Sequence, residues 1–171
     1  MFKKLGFMLV LFAAGCTGPD YEYEICPRVQ IVRDNAYVTQ VVNSYEQFQI
    51  TLKGFDGYCF YDSRIEQNKA LINPVFEIKR LRPSSETDVH FAYYTETVKG
   101  PPAYIGRKTH HVVAHIGSQA REIEFKAPQV MVYVPEEMKY SFDINLGLVI
   151  SPEERKYNQR TFDINYRYIN Q

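Results

Sequence analysis

Residues 140–150 alternate between apolar and polar positions as far as Leu148. Phe142, Ile144, Leu146, Leu148 and Ile150 take one parity, and Ser141, Asp143, Asn145 and Gly147 take the other. Successive side chains of an extended chain point to opposite faces, so this pattern buries one face and wets the other. A helix gains nothing from it, because helical faces repeat every 3.6 residues. The same alternation runs through 47–53, with Phe48, Ile50 and Leu52 inward, and through 161–168, with Phe162, Ile164, Tyr166 and Tyr168 inward. The pentads SFDIN (141–145) and TFDIN (161–165) echo each other and predict two neighbouring strands of like environment.

Further strands are predicted at 29–32, 58–62, 71–81, 88–98, 109–116, 121–126 and 130–134. Turn-forming residues separate them: Gly54-Phe-Asp-Gly57, Pro83-Ser-Ser, Gly100-Pro-Pro, Gly117-Ser, Ala127-Pro128 and Pro135-Glu-Glu. About ten short strands without a long helical period predict an all-β fold. The expected architecture is an antiparallel β-sandwich with immunoglobulin-like Greek-key connections; a closed β-barrel is the alternative. One helical turn is expected near 152–157. There Ser151 can cap, Pro152 suits the first helical position, and Glu154 completes a capping box. The fourteen tyrosines and eleven phenylalanines, with no tryptophan, suit strands and amphipathic surfaces.

The first sixteen residues, MFKKLGFMLVLFAAGC, are of another kind. Lys3 and Lys4 precede an apolar run from Leu5 to Ala14, which closes on small residues, the order of a secretory signal. A membrane-spanning helix needs about 20 apolar residues, and this run is about half that. The breaker pair Gly18-Pro19 follows at once, which argues against a buried helix. Ala13-Ala14-Gly15-Cys16 also resembles a bacterial lipobox, with alanine where leucine is commoner three residues before the cysteine. That resemblance implies diacylglycerol transfer to the Cys16 thiol, cleavage before Cys16 and acylation of the new amino terminus. An ordinary signal peptide without lipidation is the alternative.

The organisation that follows is a signal peptide over 1–15, a lipidated tether over 16–24, and a single β-sandwich domain over 25–171. One acyl chain binds a bilayer reversibly at about 0.8 kcal/mol per buried methylene, whereas two or more hold firmly. The membrane is thus an expected partner through the lipid. Thr17 follows the cysteine, where aspartate resembles the inner-membrane retention signal of enterobacteria. The expected location is therefore the outer membrane, facing the periplasm.

With Cys16 assigned to lipid, Cys26 and Cys59 remain as a pair in an oxidising compartment, and a disulfide is the expected state. Two free thiols, or a redox or metal role, are the alternatives. Loss of the leader removes two lysines from a chain of balanced charge, so no basic excess exists to suggest nucleic acid.

Motifs for catalysis are missing: no G-x-S-x-G, H-E-x-x-H, phosphate-binding loop or dinucleotide fingerprint occurs. His111 and His115 would lie about 13 Å apart along a strand, too far to share a metal ion, and His110 and His111 point to opposite faces. Help could come only from another strand, through Asp88 or His90. Glu77 and Glu96 could meet across strands as a hydrolytic carboxylate pair if the register allowed. No cofactor and no metal are expected.

Binding is the easier reading. Tyr58, Tyr61, Tyr93, Tyr94 and Tyr104 fall near turns or on alternating faces, and tyrosine supplies contact area at little entropic cost. Tyr93 and Tyr94 cannot both face the core. The loop 99–107 is the candidate interaction surface, with Lys99, Pro101, Pro102, Tyr104 and Arg107; its prolines stiffen it, and tyrosine and arginine are typical interface residues.

The stretches CPRV (26–29), FDGYC (55–59), YYTETVKGPP (93–102) and LGLVISPEER (146–155) resemble an uncharacterised group of lipoproteins from Gram-negative bacteria, of alphaproteobacterial type. The resemblance implies an envelope location and brings no activity. The expected function is that of a membrane-anchored, non-enzymatic structural or protein-interaction module with an envelope protein partner. The alternatives are a small-ligand module for sugar or lipid, and a carboxylate-dependent hydrolase.

Overall fold

The computed structural model of the chain describes residues 26–42, 45–62, 64–65, 67–99, 103–133 and 143–169. Cys16, the leader and the tether 16–24 lie outside the described residues. The strands are β1 (Arg28–Ile31), β2 (Tyr37–Val42), β3 (Tyr45–Asp62), β4 (Gln67–Arg80), β5 (Asp88–Lys99), β6 (Ala103–His115), β7 (Glu122–Lys126), β8 (Val130–Tyr133) and β9 (Asp143–Leu148). A 3-10 turn (Arg33–Asn35) joins β1 to β2, and a single helix, α1 (Pro152–Ile169), follows β9.

The fold is all-β with that one short helix, and its strands form two sheets. Sheet A has the order β1-β9-β5-β6; sheet B has the order β2-β3-β4, with β7 and β8 in succession along the free side of β4. All pairs are antiparallel except β1 with β9. That exception departs from the purely antiparallel expectation. A tight hairpin forces opposite directions, but no hairpin joins these two strands, so nothing in the connection dictates their sense.

The core lies between the sheets. Phe48, Ile50, Ile72, Phe76 and Ile78 come from sheet B, and Val89, Tyr93, Ile144, Leu146 and Leu148 from sheet A, all essentially fully buried. Each such side chain contributes roughly 1.5–3 kcal/mol on leaving water. Phe76 is the centre of an aromatic group, with Phe91 at 4.9 Å edge-on, Tyr93 at 5.5 Å and Phe125 at 6.5 Å. Burial pushes the Tyr93 phenol up to about 12. Tyr94 takes the outer face of sheet A, as strand parity demands, yet it too is buried. It lies across Gly147, where an added Cβ would come within 2.6 Å of the phenol oxygen.

Three elements differ from the sequence reading. Gly54–Gly57 is no turn: β3 runs through it. An irregularity between Leu52 and Gly54 leaves Lys53 without a partner on β4 and shifts the parity of everything beyond. Gly57 then passes so close to β4 that a Cβ would meet the Leu71 carbonyl oxygen at 2.6 Å. The glycines serve strand pairing here. Second, β2 pairs with β3 although Tyr37–Val42 does not alternate: Gln40 shares the parity of Val38, and the register shifts between Gln40 and Val41.

Third, 161–168 is not a strand but part of α1. The capping box forms as expected: the Ser151 amide donates to Glu154 Oε2 (2.6 Å), and the Glu154 amide donates to Ser151 Oγ (3.2 Å). The buried Asn158 then fastens the helix to the body, its amide donating to the carbonyl oxygens of Asp34 (3.0 Å) and Tyr37 (2.7 Å). Phe162, Tyr166 and Ile169 also satisfy a helical i, i+4, i+7 spacing, so the alternation was ambiguous. A capped first turn and a fastened second turn let the helix propagate one hydrogen bond at a time. Asp143–Asn145 of the first pentad therefore lies in β9, whereas the second pentad lies in α1.

Candidate interaction surface

Beyond the irregularity at Lys53, the far half of the β3–β4 hairpin carries Tyr58 opposite Leu71 and Phe60 opposite Lys69. Strand β8 adds Met131 opposite Leu71 and Tyr133 opposite Lys69. Parity puts all six side chains on the outer face of sheet B. Leu71 and Lys69 are buried under the others, while Tyr58 (60% exposed), Tyr133 (53%) and Met131 (40%) face solvent. Ile65 (47%) stands in the turn that closes the hairpin. An outer face that covers Leu71 and Lys69 and leaves tyrosines half open around them has the make-up of a contact surface.

The buried Lys69 is what allows this face to hold together. Its ammonium donates to Asp62 Oδ2 at 2.5 Å and lies 5.8 Å from the Phe60 ring and 5.3 Å from the Tyr133 ring. That hydrogen bond, helped by the Arg64 amide, holds the Asp62 carboxyl below its ordinary range. The pair compensates the cost of covering a charge, and the two rings take positions that a cation favours.

The inner side of the same hairpin bears the disulfide. Cys26 and Cys59 are bonded, with Cα atoms 5.6 Å apart, so the expected pairing forms. Cys59 lies between Tyr58 and Phe60 in sequence and points the other way. The bond therefore ties the residue just before β1 to the back of the aromatic face. Beside it, between the sheets, is a groove of about 230 Å³ bounded by Val29, Phe55, Ala70 and Ile72. It is smaller than the roughly 300–1,000 Å³ usual for sites of drug-sized ligands.

The predicted surface at 99–107 is largely strand rather than loop. Lys99 ends β5, Tyr104 and Arg107 belong to β6, and Pro101 and Pro102 lie outside the described residues. A hairpin this tight needs only a few residues between its strands, and the register pairs Lys99 with Ala103. Arg107 is engaged within the fold. It donates to Glu96 Oε1 through Nε (3.1 Å) and Nη2 (2.9 Å), and its guanidinium lies 4.0 Å from the Tyr94 ring centre. Glu96 accepts from Asn145, Asn145 from Gln30, and Gln30 from Arg28, so a polar row crosses the outer face of sheet A.

Glu77 and Glu96 do not meet. Their positions put them on the outer faces of opposite sheets, Glu77 between Lys53 (3.4 Å) and Lys79 (2.9 Å), and Glu96 beside Arg107. The Lys79 hydrogen bond holds the Glu77 carboxyl below its usual range. His111 and His115 share the exposed face of β6, and His115 Nδ1 contacts Asp88 Oδ1 at 2.9 Å. His110 turns inward, stacks on Tyr93 at 4.8 Å and contacts Thr95 Oγ1 at 3.1 Å; burial, then Lys108, holds its pKa below the ordinary value. Among the described residues, no three His, Cys, Asp or Glu side chains gather to hold a metal. No helix there is long and apolar enough to cross a membrane.

Of the tyrosines singled out from sequence, Tyr58 reaches the surface, whereas Tyr93 and Tyr94 are buried. The contributions of Met131, Tyr133 and Ile65 were missed. The available signal was that 58–62 and 130–133 are apolar on both parities, as a strand with only one buried face would not be. No family model, curated protein or solved structure matches the chain.

Proposed function

We propose that the protein is a membrane-anchored envelope lipoprotein whose β domain is a non-enzymatic interaction module, held at the outer membrane through Cys16. The observation that carries the binding role is the aromatic outer face of sheet B, where Tyr58, Met131 and Tyr133 stay open to solvent around the buried Lys69, which pairs with the partly exposed Asp62. A face built for solvent alone would not gather three large apolar or amphipathic side chains around a lysine that they cover. The anchor is supported by the order of charge, apolar run, small residues and cysteine in residues 1–16.

The small-ligand alternative has the groove beside the disulfide in its favour, and its size limits it to a small apolar group. Exchanging residues 1–16 for a leader that is cleaved without lipidation tests the anchor. The wild-type chain should stay with sedimented envelopes through washes at high salt and at alkaline pH, and the exchanged chain should appear in the soluble periplasmic fraction. Equal partitioning of the two would refute lipid attachment.

A further inference from the structure

We propose that the aromatic end of sheet B rests on the surface of the bilayer that holds the anchor, with Tyr58 and Tyr133 at the level of the lipid headgroups. The inference deepens the binding role assigned to that face and rests on the reading of Cys16 as the lipidated residue. Its starting point is geometric. The Cys26–Cys59 bond fixes the chain just before β1 to the back of the strand that carries Tyr58 and Phe60. Ten residue steps separate Cys16 from Cys26. Fully extended they reach at most about 36 Å, and as a flexible chain they span roughly 17 Å. The disulfide thus chooses which end of the domain the tether holds nearest the acyl chains.

The chemistry of that end fits a headgroup layer. Tyr58 and Tyr133 are more than half exposed, and tyrosine favours a boundary where its ring is dry and its hydroxyl wet. Ile65 is exposed in the hairpin turn beside the exposed Arg64, so an apolar tip is accompanied by a guanidinium suited to phosphate. The face need not bind tightly. A tether of this length supplies an effective concentration in the millimolar range, so a surface too weak to recruit the domain by itself is still occupied.

The chain has no tryptophan, so one introduced residue is a sole reporter. The probe is the lipidated full chain, carrying Tyr58→Trp, Tyr133→Trp or Tyr157→Trp, in vesicles of phosphatidylethanolamine and phosphatidylglycerol. A fraction of the lipids is brominated near the headgroup end of the acyl chains. Tyr157 is equally exposed but belongs to α1. All three changes exchange one exposed aromatic ring for another. Brominated lipid should lower the emission of the Tyr58→Trp and Tyr133→Trp chains at least twofold and leave that of Tyr157→Trp unchanged.

Chains that float with the vesicles but show no more quenching at 58 and 133 than at 157 would overturn the docking and leave the anchor standing. That is the outcome expected if the face instead meets a protein. Chains that fail to float would overturn the anchor, and the docking with it.

Discussion

Replacing Phe76 with alanine lowers the free energy of unfolding by about 3–5 kcal/mol. The side chain has no exposed surface and touches both sheets, through Phe91 and Tyr93 on one side and Phe125 on the other. Strand β4 is held on both edges, by β3 along its whole length and by β7 opposite Phe76 itself. The backbone there has little freedom to close over a void, which places the cost toward the upper part of the range. Aromatic pairs at these distances add about 0.5–1.5 kcal/mol beyond the area they bury. Urea unfolding followed by far-ultraviolet circular dichroism measures the change. A loss under about 1 kcal/mol would mean that the two sheets do not pack through this residue.

Removing the disulfide ranks second. Closing a loop with a sequence separation of 33 restricts the unfolded chain by about 3.7 kcal/mol in the chain-entropy model, and loss of a native disulfide from a small domain usually costs about 2–5 kcal/mol. The paired change Cys26→Ala with Cys59→Ala leaves no free thiol to complicate the result. The effect has a local part as well. β1 is four residues long, lies at the edge of sheet A and pairs only with β9 among the described residues. Without the bond at Cys26, its amides should exchange with solvent faster than those of β5. Unfolding at the wild-type denaturant midpoint, with unchanged exchange in β1, would show that the bond contributes nothing to holding this end.

The strands visible in sequence are those buried on one face only. Phe48, Ile50 and Leu52 alternate cleanly because the outer face of β3 is wet there, and Ile144, Leu146 and Leu148 alternate for the same reason in β9. Alternation fails where a strand is apolar on both sides, so in the far half of β3 the pattern marks only a separate short strand. Gly54 and Gly57 are turn residues by propensity, and what holds Gly57 in a strand is the close passage of Leu71, some fourteen residues away in sequence. The helix was legible at its cap and illegible beyond it, because Phe162, Tyr166 and Ile169 fit either period.

The aromatic outer face of sheet B is half legible. Tyr58 was named, but Met131 and Tyr133 join it only through the pairing of β8 with β4. Register of that kind is set by the whole sheet and not by any local signal. Arg107 fails as a free contact residue for the same reason: its partner Glu96 is fixed by the β5–β6 register.

The account depends most on Cys16, and the intact mass of the protein taken from native envelopes tests it directly. The account predicts a chain that begins at Cys16, has lost residues 1–15, and carries the added mass of a diacylglyceryl group and an amide-linked acyl chain. It also predicts that Cys26 and Cys59 are two hydrogens lighter than free thiols. A chain that still begins at Met1, or that is cut elsewhere and bears an unmodified Cys16, would contradict it.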